Sequence, residues 1–235
     1  MENFDQKTAE YFNTVRPRYN TARLDFFSDF YAQNSHEISK VLDIGSGDGD
    51  SVKVLSEKLP GIDFHISDIA HEYMDRAGDL TKIVGSILDS SFVSGLNDYQ
   101  AVQCVSLLHH LVDGRSRGKS VDNVRTAIGN MAKIAGKDGY VLIFEPVWSP
   151  EIVGFSAFYI KNLFSKFVSK RIEFTPNSIW NIGQPVVSYL SQTMLERIFD
   201  DVGLRIVKRA VFQDSTFAGF MNCKRMQYVL QPSRH

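Results

Sequence analysis

The chain has 235 residues, with 26 Lys and Arg against 27 Asp and Glu and a formal net charge of −1. That length supports one domain, residues 1–235, with a sizeable core, and the balanced charge argues against a nucleic-acid or anionic-membrane partner. Cys104 and Cys223 lie in apolar runs without paired spacing, which argues against a disulfide framework or zinc site and fits a reduced, cytoplasmic protein.

Met1 is followed by the polar ENFDQKTAE, which lacks the basic start and apolar centre of a signal peptide. No apolar run reaches membrane-spanning length, so no stable membrane insertion is expected. Asp5 to Gln33 reads as two helices split at RPRY, because Pro17 disfavours helical backbone at Arg16 and removes a donor. These helices predict an N-terminal cover over residues 1–37. From Val41 onward short apolar runs alternate with helical patterns: KVLDI, DSVKVLSEKL, FHISD, AHEYMDRA, KIVGS, YQAVQCVS, a long amphipathic stretch from Val121 to Ala135, and YVLIFEP. The alternation predicts an α/β fold, a doubly wound parallel sheet with helices on both faces and a site along one edge.

After Pro146 an aromatic-rich piece, residues 147–189, intervenes as a lid insertion within the domain. Its apolar positions Ile152, Phe155, Tyr159, Leu163 and Phe167 recur at helical spacing, with Phe158, Ile160, Phe164 and Val168 widening that face, which predicts a lid helix packed on the sheet. Membrane-surface attachment is a weaker alternative, suggested by Lys161, Lys166, Lys170 and Arg171. A helix then runs from Ser191 to Gly203, and LRIVKRAVFQ and KRMQYVLQP form an antiparallel hairpin about a turn containing Gly219.

The stretch VLDIGSGDGDS places Gly45, Gly47 and Gly49 at alternate positions behind the first strand. A dinucleotide fingerprint wants a third glycine where Asp50 stands, and an acid beside a pyrophosphate is repulsive. The core LDIGSGDG resembles motif I of class I S-adenosylmethionine-dependent methyltransferases. That resemblance implies a Rossmann-like sheet and an S-adenosylmethionine cofactor whose amino group is bound by Asp43. It further implies close approach of the cofactor to Gly45, Ser46 and Gly47. Asp68, about 20 residues on, matches the acid that holds ribose hydroxyls. Asp is also a favoured N-cap, so capping AHEYMDRA is its other reading. Ile69 would lie against the adenine. Relatives often carry Gly-Asp after the third strand, whereas this chain has Gly85 and Ser86, with Ile87 following. AVQCVSLLHHL resembles the fourth-strand motif beside the methionine portion, which implicates Leu107. TAEYFNTVRPRYN loosely resembles the cover of small-molecule methyltransferases, with Tyr11 and Arg18 near the methyl donor.

An imidazole suits proton acceptance at neutral pH, so one of His109 and His110 is the candidate general base. Adjacent side chains in extended backbone point to opposite faces, so only one of the two is expected in the pocket. The pair lacks the geometry of a metal site. Glu145, after the fifth strand, is a candidate for binding an amine or orienting a proton acceptor, or else a loop carboxylate facing water. Tyr19, Trp148, Tyr159 and Trp180 are candidate substrate walls. These features point to methyl transfer to a small, partly apolar metabolite, with O-methylation favoured over N- or C-methylation. The alternatives are another S-adenosylmethionine-dependent chemistry and a noncatalytic binding protein on the same fold. The sequence does not set the oligomeric state.

Overall fold

Five short apolar runs form the predicted parallel strands: β1 Lys40–Ile44, β2 Asp63–Asp68, β3 Thr81–Val84, β4 Ala101–Val105 and β5 Tyr140–Ser149. The computed structural model describes residues 21–113, 116–165, 172–173, 181–182, 187–217 and 221–233. Its helices are α1 Asp25–Gln33, α2 Asp50–Lys58, α3 His71–Met74, α4 Ser90–Ser94, α5 Arg117–Ala135, α6 Glu151–Ser165 and α7 Gln192–Asp201. β6 Ile172–Glu173 and β7 Asn181–Ile182 pair as a separate two-stranded ribbon within the insertion. The last two strands, β8 Leu204–Phe217 and β9 Met221–Pro232, are the predicted antiparallel hairpin; its turn at Gly219 lies outside the described residues.

The seven-stranded sheet has the order β3-β2-β1-β4-β5-β9-β8, with β9 antiparallel to both neighbours. Successive residues of each strand face opposite sides, and both sides are covered. Val41, Leu142, Phe144 and Val229 meet Leu24, Phe27 and Tyr31 on the α1 side. Leu42, Val102, Ile143 and Tyr228 meet Ile128, Leu195 and Phe199 on the α5 and α7 side. Each fully buried Leu or Phe of this kind contributes about 1.5–3 kcal/mol, which is why the parallel strands read as continuous apolar runs. Strand order reverses between β1 and β4, the place in open α/β sheets where ligands bind outside the carboxyl ends of the strands.

Several boundaries differ from expectation for local reasons. Helix α5 begins four residues before Val121 because the Ser116 hydroxyl accepts the Lys119 N–H at 3.4 Å and caps it. Ser191 caps α7 as expected, accepting the Met194 N–H at 3.1 Å. β5 does not stop at Pro146 but continues to Ser149, paired with β9 throughout. β4 ends at Val105, opposite Phe144, so Pro146 has a neighbouring strand on one side only and is tolerated there.

The helix predicted over this stretch is present as α6, but its orientation corrects the sequence reading. The stripe expected to pack on the sheet is the exposed one: Ile152 is 69% exposed and Tyr159 43%, with Phe155 and Leu163 alongside. The buried side runs through Gly154, Phe158 and Lys161, against Trp148, Tyr189 and Cys223. Phe167 and Val168 lie outside the described residues, as do the first predicted helix and its break at Pro17.

Candidate functional site

Gly45 and Gly47 occupy left-handed backbone, with φ of 69° and 56°, which β-carbon-bearing residues adopt at a cost. They turn the chain sharply from β1 into α2, so that Gly45 N–H and Ser46 N–H both donate to the Ser67 carbonyl, at 2.7 and 3.2 Å. The Asp68 carboxylate at the end of β2 accepts the Gly47 N–H at 3.0 Å and the Ala70 N–H at 2.9 Å. Asp68 is therefore not the N-cap of the following helix, a position held by Ala70. It anchors the glycine loop to the second strand, and burial raises its pKa against those backbone donors.

A Cβ on Gly45 would sit 2.5 Å from Leu107 Cδ1, whereas one on Gly47 would meet nothing within 4 Å. Leu107 thus closes one wall of the loop, and the space beside Gly47 is open. We expect Gly45→Ala to lower the unfolding free energy by about 1–2 kcal/mol, from left-handed backbone and displacement of Leu107, as read by urea denaturation.

Asp43 sits inside β1 and is only 1% exposed. Its Oδ1 has no hydrogen-bond partner among the described residues. Burial pushes its pKa up to about 7; the Gln103 amide draws it down, Asp68 adds to the rise and Arg23 opposes it. A buried carboxylate with an unpaired oxygen at a strand end next to an open loop is a ready acceptor for a cationic group.

Of the adenine-side candidates, Ile69 follows Asp68 and is 51% exposed. Ser86 is turned into its own loop, its Oγ accepting the Leu88 N–H at 3.2 Å. Ile87 is packed in the core, and its carbonyl accepts Asn130 Nδ2 at 2.7 Å. Asp43, Gly45, Ser46, Gly47, Asp68, Ile69 and Leu107 therefore lie at or just past the carboxyl ends of β1, β2 and β4, with Gly47 bonded to Asp68 and Leu107 against Gly45, whereas Ile87 is packed in the core. Tyr11, Arg18, Tyr19 and Trp180 lie outside the described residues.

At the next strand ends the chain makes a 3-10 turn, Leu108–His110, after Ser106, which holds a φ of 57°. Glu145 is not a loop carboxylate facing water. It lies within β5, 0% exposed, where its two oxygens accept the Leu108 and His109 N–H groups at 3.0 and 3.1 Å. The same carboxylate contacts His109 Nδ1. Burial raises the Glu145 pKa against these backbone donors; burial together with the Lys161 and Arg225 cations lowers that of His109, so its imidazole is neutral.

Extended backbone would set the two histidines on opposite faces. The tight turn instead brings their rings to 4.0 Å, with His109 inside and His110 more open. Trp148 stands 6.0 Å from the His109 ring and 5.1 Å from Tyr189, and its Nε1 has no partner among the described residues. Tyr159 lies on the outer side of α6, packed on Phe155 and Phe158.

Sequence reasoning missed Gln103, Tyr31 and Arg225, and read Lys161, which is buried, as part of an exposed basic side. Gln103 carried a signal, being a polar residue inside the apolar run AVQCV; the others acquire meaning only from strand register and packing. Among the described residues no group of His, Cys, Asp or Glu is arranged to hold a metal ion, and no helix is long and apolar enough to cross a membrane.

No protein-family model matches the chain, and no curated protein matches it by sequence. Solved structures do match it. An S-adenosylmethionine-dependent methyltransferase from Clostridium acetobutylicum ATCC 824 superposes with a TM-score of 0.60 at 11% identity, over 99% of this chain and 100% of that one. The magnesium protoporphyrin IX methyltransferase ChlM of Synechocystis PCC 6803, solved with bound S-adenosylmethionine, gives 0.59 at 12% identity over 98% of each chain. The mitomycin 7-O-methyltransferase MmcR gives 0.56 at 15% identity, over 95% of this chain and 58% of that one. With its strand order, its glycine turn and its antiparallel β9, this chain has the fold of the class I S-adenosylmethionine-dependent methyltransferases.

Proposed function

We propose that the protein transfers a methyl group from S-adenosylmethionine to a hydroxyl of a small, partly apolar molecule. The observation that carries this reading is the buried His109–Glu145 pair, set just past the carboxyl end of β4 and the stretch of β5 that pairs with it. The crevice suits the cofactor on its own chemistry. Asp43 offers an unpaired carboxylate oxygen for an ammonium, Asp68 has acceptor capacity left for ribose hydroxyls, and Ile69 offers an apolar face for a base. Bound there, the sulfonium would supply an already activated methyl.

The chain's own residues then need to orient an oxygen nucleophile, remove its proton and exclude water. With Glu145 ionised, its carboxylate holds the proton on His109 Nδ1, which leaves Nε2 as the proton-accepting nitrogen. The cations that keep His109 neutral, Lys161 and Arg225, also favour negative charge developing on an acceptor oxygen nearby. Trp148 contributes an apolar wall with an unpaired N–H donor.

Incubating the protein with methyl-labelled S-adenosylmethionine and matched sets of hydroxyl, amine and carbon nucleophiles tests this reading. Methyl ethers are the expected products. His109→Ala is expected to lower kcat by about 10²-fold or more while leaving S-adenosylhomocysteine affinity within about twofold. Label appearing only on nitrogen or carbon, at a rate indifferent to His109→Ala, would contradict it.

A further inference from the structure

Helix α1 reaches the cofactor side of the sheet through a buried polar row. Asp43 on β1 and Gln103 on β4 are direct register partners, so their side chains project on the same face, the one α1 covers. Tyr31 on α1 donates its hydroxyl to Gln103 Oε1 at 2.8 Å, and both residues are fully buried. Farther along the same face, Gln227 Nε2 donates to the Arg23 carbonyl at 2.6 Å, fastening the turn before α1 to β9. Among the described residues Gln103 Nε2 and Asp43 Oδ1 lack a hydrogen bond of normal geometry, each buried and on neighbouring strands.

An amide has one acceptor end and one donor end. Burial, helped by Asp43, pushes the Tyr31 phenol pKa up, so Tyr31 remains a donor and claims the oxygen of Gln103. The NH2 end is thereby left for Asp43. Were the amide free to turn over, its oxygen would oppose the carboxylate and disfavour the charged form.

We propose that Tyr31 is a positioning residue for cofactor binding, acting through Gln103 to hold the amide NH2 toward Asp43 so that Asp43 meets the cofactor's ammonium as an anion. This inference rests on the cofactor reading above. Among the described residues the other charged groups that act on Asp43 are Asp68 at the end of β2 and Arg23 on the turn before α1. Neither fixes the orientation of the amide. Asp43 is thus readied from α1 in two steps, Tyr31 to Gln103 and Gln103 to Asp43.

The test is the pH dependence of S-adenosylhomocysteine binding to the full chain between pH 5.5 and 8.5 by titration calorimetry, a window of ~3 pH units around the raised Asp43 pKa. Wild-type affinity is expected to rise with pH to a plateau as Asp43 ionises. Tyr31→Phe should displace that rise to higher pH, weakening binding about tenfold on the rising limb and little on the plateau. Gln103→Met should displace it similarly, and the double variant should add little to either single change. A merely structural role would lower affinity by one factor at every pH. Superimposable profiles, or a uniform loss, in proteins that still bind would overturn the inference and leave the cofactor reading standing. No binding by wild type at any pH would overturn both.

Discussion

Replacing Asp43 with asparagine is expected to stabilise the cofactor-free protein at pH 8 while weakening its hold on S-adenosylhomocysteine. The buried carboxyl binds its proton more tightly in the folded protein, with a pKa of about 7, than in the unfolded chain, where the ordinary value is about 3.9. Its contribution to stability is therefore fully present below pH ~4 and is lost as pH rises through about 7. At pH 8 that loss is on the order of 4 kcal/mol, because the carboxylate must stay charged in a buried site without a full set of partners. A neutral amide in its place carries no such charge. Urea unfolding should show Asp43→Asn more stable than wild type by about 2–4 kcal/mol at pH 8, an advantage that shrinks to about 1–2 kcal/mol at pH 5. The same change removes a charge-assisted contact to the cofactor's ammonium, worth about 1.5–3 kcal/mol, or roughly 10- to 100-fold in affinity. A protein that gains stability and loses ligand at one position is trading stability for function. Equal stability at both pH values would show that Asp43 is not strained by burial.

Glu145→Gln should produce the largest loss of activity. Its carboxylate holds the Leu108–His110 turn through two backbone N–H groups and holds His109 through Nδ1. A glutamine at this position has one acceptor oxygen, so one of those donors is left facing an amide NH2. The expected fall in kcat is about 10²–10⁴-fold, and adding His109→Ala should cost little more, because the two residues act as one unit. The pH profile separates this role from a structural one. The Glu145 pKa is raised and the His109 pKa lowered, so the proton-accepting form of the pair, with Glu145 ionised, forms as pH increases beyond the ordinary carboxylate range. Wild-type kcat with a hydroxyl acceptor should climb through that range and level off; Glu145→Gln should lack the limb. A retained limb would assign it to ionisation of the acceptor itself. Glu145→Ala, which orphans both backbone donors, should also lose about 2–5 kcal/mol of stability.

What the sequence discloses follows from how far each signal reaches. The run KVLDI followed by glycines at alternate positions locates β1, its turn and the helix after it, because left-handed turns and apolar strands are local properties. Asp43, Asp68 and Ile69 follow from their places at strand ends, and the structure ties Asp68 to the glycine loop through the Gly47 N–H. Signals that depend on neighbours do not travel as well. Periodicity cannot choose the buried face of α6, which is apolar nearly all round, so the stripe through Ile152 and Tyr159 reads as the inside although it is exposed. A strand-like reading of SLLHHL puts His109 and His110 on opposite faces, whereas the left-handed Ser106 starts a 3-10 turn that brings them together. Pro146 signals an end to β5 that the missing neighbour beyond Val105 makes unnecessary. Tyr31 carries no sign of its link to Gln103, 72 positions away, until α1 is seen on the sheet.

The account depends most on the crevice between β1 and β4 receiving S-adenosylmethionine. A crystal structure of the full chain grown with S-adenosylhomocysteine measures this directly. It should show the ammonium against Asp43 and the ribose hydroxyls against Asp68, with the glycine loop beneath. Density for the ligand elsewhere on the protein, or a crevice that takes a nicotinamide dinucleotide and not S-adenosylhomocysteine, would contradict it.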